Sequence, residues 1–174
     1  MGKGATKSAG RRDTTSFATE NNNYGISMEC VDNKRLYWLF KTEPNKFSWD
    51  QLVAKGEKGE EWDGVRNYQA RNNMRAMNVG DLGFFYHSKV GKHIIGICEV
   101  CKRAHQDSTT DDKRWECVDV RAICLMPTPV TLTDVKNKPA LLKMALVTTP
   151  RLSVQPVTTI EWTTICQMGG LKHI

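Results

Sequence analysis

Apolar positions along this chain fall into runs of two periods, and the switches between them mark out the elements. Tyr37-Trp38-Leu39-Phe40 is a continuous apolar run, the pattern of a short strand buried on both sides. After Pro44, Ser48 and Gln51 have the spacing of a helix capping box, and Phe47 and Leu52 that of a hydrophobic staple. Gly56 and Gly59 end that helix. Ala70, Met74 and Met77 then recur at i, i+4 and i+7, which predicts a helix over about 67–77 with these three on its inner stripe. Arg71 and Arg75 lie one turn apart on a different face, and Gly80-Asp81 closes the section.

Three strands are expected next: Leu82 to His87, His93 to Val100 after a Gly91-Lys92 turn, and Trp115 to Ile123. A polar connection from Lys102 to Arg114 precedes the third. In it Val118, Val120 and Ala122 alternate with Cys117, Asp119 and Arg121, as on a half-buried strand, and Pro127 and Pro129 are expected to stop it. A short helix is expected around 139–146, then a strand-like Leu152-Ser153-Val154. The last helix opens on a second capping box, Thr158 and Glu161, buries Trp162, Ile165 and Cys166, and stops at Gly169-Gly170. Short strands interrupted by three or four helices predict an α+β, β-rich fold of about five to six strands. A small mixed β-barrel with helices around its rim fits this pattern; a sandwich or a doubly wound sheet does not.

Residues 1–33 carry no such period. They are rich in Gly, Ser, Thr and Asn with scattered Lys3, Lys7, Arg11 and Arg12, and are expected to form a disordered polar, basic tail ahead of one domain over 34–174. At 174 residues, 40% apolar and 25% charged, the chain has the composition of an ordinary soluble domain, large enough to hold a core without a metal or disulfide staple. No run approaches the roughly 18 apolar residues of a membrane span, and no apolar stretch near the start resembles a secretory signal. The six cysteines are therefore expected as reduced thiols in a nuclear or cytosolic protein. The net charge of +6 belongs almost wholly to the domain and favours a polyanionic partner.

Candidate chemistry is sparse. Cys98-x-x-Cys101 has an odd spacing that points the two thiols to opposite faces of a strand, Cys117 and Cys124 fail in the same way, and no second pair completes a tetrahedral site. No metal and no cofactor are expected. The four histidines are scattered, and no nucleophile-elbow or phosphate-loop pattern is present. The strongest local signal is the stretch from Trp62-Asp63-Gly64-Val65-Arg66-Asn67 to Tyr68-Gln69-Ala70-Arg71-Asn72. A Trp at a loop-to-helix junction can wall a pocket, where its face would stack on a nucleobase, or can form a structural corner.

These residues carry a resemblance. Tyr37-Trp38-Leu39-Phe40-Lys41-Thr42-Glu43-Pro44 and the Trp62–Asn72 stretch are similar to the two signature segments of the EVE domain. Gly80-Asp81 with Phe84-Phe85-Tyr86-His87-Ser88, Ile95-Gly96 with Glu99-Val100, Val118-Asp119-Val120, and Arg151-Leu152-Ser153-Val154-Gln155-Pro156 are similar to its later blocks, in order and spacing. The match covers about residues 36–170 and looks most like the eukaryotic thymocyte nuclear protein group. Thr42 stands where the family commonly has Ser, and the connection before Trp115 is shorter than in that group. The resemblance implies a PUA-like β-barrel related to the YTH readers, with a cleft for a modified base. It implies a nuclear, monomeric, non-catalytic reader of nucleic acid carrying that base, with modified cytosine in DNA as the expected target. Carried over residue by residue, Trp38, Thr42, Glu43, Trp62, Asp63, Asn67, Tyr86 and His87 would contact the base, and Lys41, Arg66, Arg71 and Arg151 the phosphates. The rival readings are an enzyme acting on the base, with Glu43 or Asp63 as general base, and a protein-interaction or small-ligand module.

Overall fold

The computed structural model describes residues 35–171, so the expected tail over 1–33 lies outside the described residues. Six strands and five α-helices follow one another: β1 (Tyr37–Thr42), α1 (Trp49–Ala54), β2 (Glu60–Glu61), α2 (Tyr68–Arg75), β3 (Leu82–His87), β4 (His93–Gln106), β5 (Glu116–Thr131), α3 (Leu132–Asn137), α4 (Ala145–Thr148), β6 (Val154–Val157) and α5 (Thr159–Met168). The strands form one mixed sheet in the order β2-β5-β4-β3-β1-β6, with β1 and β3 parallel and the other pairs antiparallel. The edge strands β2 and β6 do not pair with each other, so the sheet stays open where a closed barrel was expected.

Side-chain alternation along β1 feeds two cores, one on each face of the sheet. Tyr37 and Leu39 join Phe84, Tyr86 and Trp162 on one side, where the Trp162 ring stacks 4.5 Å from Tyr37 and 4.2 Å from Phe84. Trp38 and Phe40 join Trp49, Trp62, Phe85 and Met74 on the other. This is the doubly buried strand that its unbroken apolar run predicts. Ala70, Met74 and Met77 are all buried, as the helical stripe requires. Gly83 and Gly96 let aromatic rings lie flat against the sheet, since a Cβ on either would come 2.5 Å from the rings of Phe40 and Trp49 respectively.

Two expectations are corrected. Pro127 and Pro129 do not stop β5, which runs sixteen residues to Thr131. Leu125 pairs with Gly96 and Val130 with Ile94, so residues 126–129 face a single residue across the ladder and form a wide bulge. The prolines are exposed within that bulge, where no ladder N–H is required of them. The helix expected around 139–146 is split into a 3-10 turn (Pro139–Leu141) and α4. The structure adds β2 and α3. Among the described residues no helix is long and apolar enough to cross a membrane.

Candidate functional site

A cleft of about 780 Å³ opens where the C-terminal end of β1 meets the loop that follows β2. Lys41, Thr42 and Glu43 form one wall, Lys46, Phe47 and Gln51 a second, and the run from Glu60 to Arg66 a third, with Ser88 and Ser153 on the rim. The parallel pairing of β1 with β3 sets the first wall: the Ser88 amide donates to the Thr42 carbonyl at 2.7 Å, and the Ser88 hydroxyl donates to the same oxygen at 3.0 Å.

Trp62 is anchored by its backbone, whose N–H donates to the Val118 carbonyl at 2.7 Å. Its ring packs edge-to-face with Phe40, Phe47 and Phe85 at 5.1, 6.1 and 5.6 Å and is 6% exposed. It is therefore both a core residue and an aromatic wall of the cleft. The loop beyond it is held from a distance by Asp107, whose side chain is only 1% exposed. Its carboxylate accepts from the Gly64 amide at 3.0 Å, from Arg66 Nη1 at 2.6 Å, and from the Thr109 amide and hydroxyl at 2.8 and 2.5 Å. Burial opposes the charge, but the Thr109 hydroxyl, the Arg66 guanidinium and the two amides outweigh it and hold the carboxyl at about 2. Gly64 turns at φ +67°, a left-handed conformation that suits glycine.

The remaining charges are distributed unevenly. Glu43 pairs with Lys89 at 2.9 Å and Lys46 at 3.8 Å, and the hydrogen bond from Lys89 draws its carboxyl below the usual range. Asp63 lies among Asp107, Glu61 and Glu60, and partial burial followed by these carboxylates raises its proton affinity. Lys41 donates to the Pro150 carbonyl at 2.7 Å and lies 5.5 Å from the Tyr86 ring centre; burial lowers its pKa. Among the described residues no histidine and no cysteine line the cleft, and its serine with a defined partner, Ser88, donates to a carbonyl rather than to a base.

Of the residues expected to contact a base or a phosphate, the structure brings Lys41, Thr42, Glu43, Trp62, Asp63 and Arg66 to the cleft. It places six elsewhere. Trp38 is buried with its indole N–H donating to Asp81 at 3.0 Å. Tyr86 points to the opposite core, because it is one residue out of phase with Phe85. His87 is packed against Phe85 and His93, at 5.4 and 5.5 Å between ring centres, and burial, then His93, lowers its pKa. Asn67 caps α2, accepting from the Ala70 amide at 2.9 Å. Arg71 and Arg151 lie outside the cleft lining. In the reverse direction, the sequence does not mark Asp107 or Lys46 as site residues, and it marks Phe47 only as part of a helix staple. Asp107 sits in a connection whose polar composition hid a buried anchor.

One further group of side chains could hold a metal. Glu61, His105, Cys117 and Asp119 each bring a ligand atom within 4.8 Å of all the others. His105 Nε2 lies 2.7 Å from Asp119 Oδ1, and burial first, then Glu61, Asp107, Asp119 and Asp63, push the Cys117 thiol up to about 12.

The EVE domain model matches residues 36–168. The chain belongs to the EVE domain family. Human thymocyte nuclear protein 1 is 34% identical over 165 residues, covering 76% of this chain and 73% of that protein. Among solved structures, a protein of Agrobacterium tumefaciens is 63% identical with a TM-score of 0.77, covering 78% of this chain and 94% of that one. The human THYN1 protein, solved in complex with 5-methylcytosine-containing DNA, is 33% identical with a TM-score of 0.72, covering 77% of this chain and 97% of that one. At 13% identity and a TM-score of 0.52, the YTH domain of a Zygosaccharomyces rouxii protein, solved with N6-methyladenosine RNA, shares the fold; it covers 80% of this chain and 89% of that domain.

Proposed function

We propose that this EVE protein is a non-catalytic reader that takes one modified nucleobase into the cleft beside Trp62, with modified cytosine in DNA as the target. The observation that carries this reading is the cleft itself. An aromatic wall, backbone and hydroxyl groups at Thr42, and the basic side chains of Lys46 and Arg66 stand around a space large enough for an extruded nucleotide. The similar human protein bound to 5-methylcytosine DNA supports the choice of base and of nucleic acid. The name of the relatives supports a nuclear site of action.

An acidic wall adds a physical reason for a base rather than a phosphate to enter. Glu60, Glu61 and Asp63 line one side of the cleft, so a phosphate is repelled from it, whereas an uncharged base is not. Thr42, Ser88 and Ser153 supply hydroxyls, and among the described residues no histidine or cysteine lines the cleft to activate them. The one feature favouring the enzyme reading is Asp63, a carboxyl of raised proton affinity at the mouth.

Binding of the full chain to matched oligonucleotides, DNA and RNA, with plain and methylated cytosine or adenine, tests the proposal when each sample is afterwards analysed by mass spectrometry. A preference for methylated cytosine in DNA with every base recovered intact is the expected result. Equal binding of methylated and plain strands removes the reader reading, and a released or converted base, abolished by Asp63→Asn, replaces it with the enzyme.

A further inference from the structure

We infer that Glu61, His105, Cys117 and Asp119 form a binding site for a divalent transition-metal cation, zinc above others, next to the cleft. Strand register builds the group. On β5, Cys117 and Asp119 are two residues apart and so share a face. On one side His105 of β4 is the direct partner of Cys117, and on the other Glu61 of β2 is the direct partner of Asp119. Three adjacent strands thus converge four ligand-type side chains, one thiol, one imidazole and two carboxylates, all kinds that zinc accepts.

The local geometry fits a cation better than the contacts now made. Cys117 is fully buried, and its sulfur lies 3.8 Å from both ring nitrogens of His105, an equal spacing that lines it up with neither lone pair. The thiol's remaining contact among the described residues is a long one, to the Gln106 carbonyl at 3.9 Å. His105 Nδ1 faces the Gln106 carbonyl at 3.0 Å, the outer-shell contact that fixes a histidine to ligate through Nε2. Ser108 donates to Glu61 at 2.5 Å and orients that carboxylate in the same way. Tetrahedral zinc, with bonds of 2.0–2.3 Å, spaces its ligands roughly 3.3–3.7 Å apart. The 2.7 Å contact between His105 and Asp119 has to open by about half an ångström on that spacing, and pairs near the 4.8 Å limit of the group have to close by about an ångström.

Charge points the same way. Two carboxylates and a thiolate carry three negative charges, and the cation together with Lys102, 3.7 Å from Asp119, supplies three positive ones. On binding, the sulfur–proton bond of Cys117 breaks and a sulfur–metal bond forms; that proton goes to solvent, and His105 ligates through the lone pair of Nε2. The soft thiolate selects zinc, cobalt or a similar ion over magnesium or calcium. The site is tied to the cleft at two points. Glu61 immediately precedes Trp62, and Asp107, the anchor of Gly64 and Arg66, lies two residues beyond His105.

Cobalt titration of the full chain, stripped with a chelator under reducing conditions, reads the site directly. The expected result is a near-ultraviolet thiolate-to-cobalt charge-transfer band with the visible bands of tetrahedral cobalt, both displaced by zinc. Cys117→Ser should remove the charge-transfer band, and His105→Gln, at a partly exposed position, should weaken cobalt binding at least about a hundredfold, since loss of even an outer-shell partner costs ten- to a hundredfold. Cys101→Ser should leave the spectrum unchanged. Absence of the charge-transfer band in the wild type, a band that survives Cys117→Ser, or unchanged affinity in His105→Gln would each overturn the assignment. Thermal unfolding of each variant separates a lost ligand from a lost fold.

Discussion

At the scale of single residues, Trp62 and Asp107 do two jobs each, and their variants have to be chosen accordingly. Trp62 belongs to the core as much as to the cleft, so Trp62→Ala is expected to cost about 3–5 kcal/mol of stability and to confound any binding measurement. Trp62→Phe keeps an apolar ring and shrinks the stacking surface; it should fold and lower the preference for modified over plain strands, up to about tenfold if roughly half of a 1–3 kcal/mol stack is lost. An unchanged preference in titrations of Trp62→Phe would place the base elsewhere. Asp107→Asn leaves the loop hydrogen bonds neutral and should destabilise the protein by about 1.5–3 kcal/mol near neutral pH. Because folding holds this carboxyl at about 2, below its ordinary 3.8, its contribution is fully present above pH 4 and is lost as pH falls toward 2. Denaturant unfolding of wild type and Asp107→Asn at pH 6 and pH 3 should therefore show the gap between them shrinking at the lower pH.

At the scale of elements, local signals were legible and long-range ones were not. Ser48 with Gln51 and Thr158 with Glu161 form complete capping boxes, as their spacing predicts, because such a box is closed by residues three apart. The box Thr131–Asp134 escaped notice because Asp replaces the usual Glu or Gln, although its side chain makes the same return bond. Thr158→Ala should cost about 0.5–2 kcal/mol and Met74→Ala, fully buried in the second core, about 2–5 kcal/mol, both measurable by denaturant unfolding. An unchanged midpoint for Met74→Ala would contradict its placement. Pro127 and Pro129 misled because the bulge that accommodates them depends on the register of β4 against β5, which no local pattern encodes. The same holds for the candidate site. Trp62 and Thr42, named from their motifs, line the cleft, whereas Tyr86 faces the opposite core and His87 packs against Phe85 and His93. The group of Glu61, His105, Cys117 and Asp119 draws on positions 58 apart in sequence, and only strand pairing brings them together.

For the molecule as a whole, the +6 charge matters less than which cations are left unpaired. Arg66 lies at the cleft but is committed to Asp107, and Lys46 is shared with Glu43. Arg71 differs: its guanidinium, 5.0 Å from the Tyr68 ring centre, bonds to the Asn72 side chain and the Arg114 carbonyl, and makes no ion pair among the described residues. Tyr68 in turn stacks on Trp115 at 5.0 Å, and Arg66 lies 5.7 Å from the Trp115 ring, so a continuous aromatic and basic surface leads from Arg71 to the cleft mouth. A phosphate backbone running along this surface would meet Arg71 as free charge and Arg66 as a fixed wall. Arg71→Ala should then weaken modified and plain duplexes alike and flatten the plot of log K against log salt by about 0.9, the value of one phosphate contact. Arg66→Ala should instead lower discrimination between the two strands with little change in slope, since it loosens the loop that Asp107 anchors. Titrations of both variants at several salt concentrations decide the matter: a slope change in Arg66→Ala with none in Arg71→Ala would reverse the two roles.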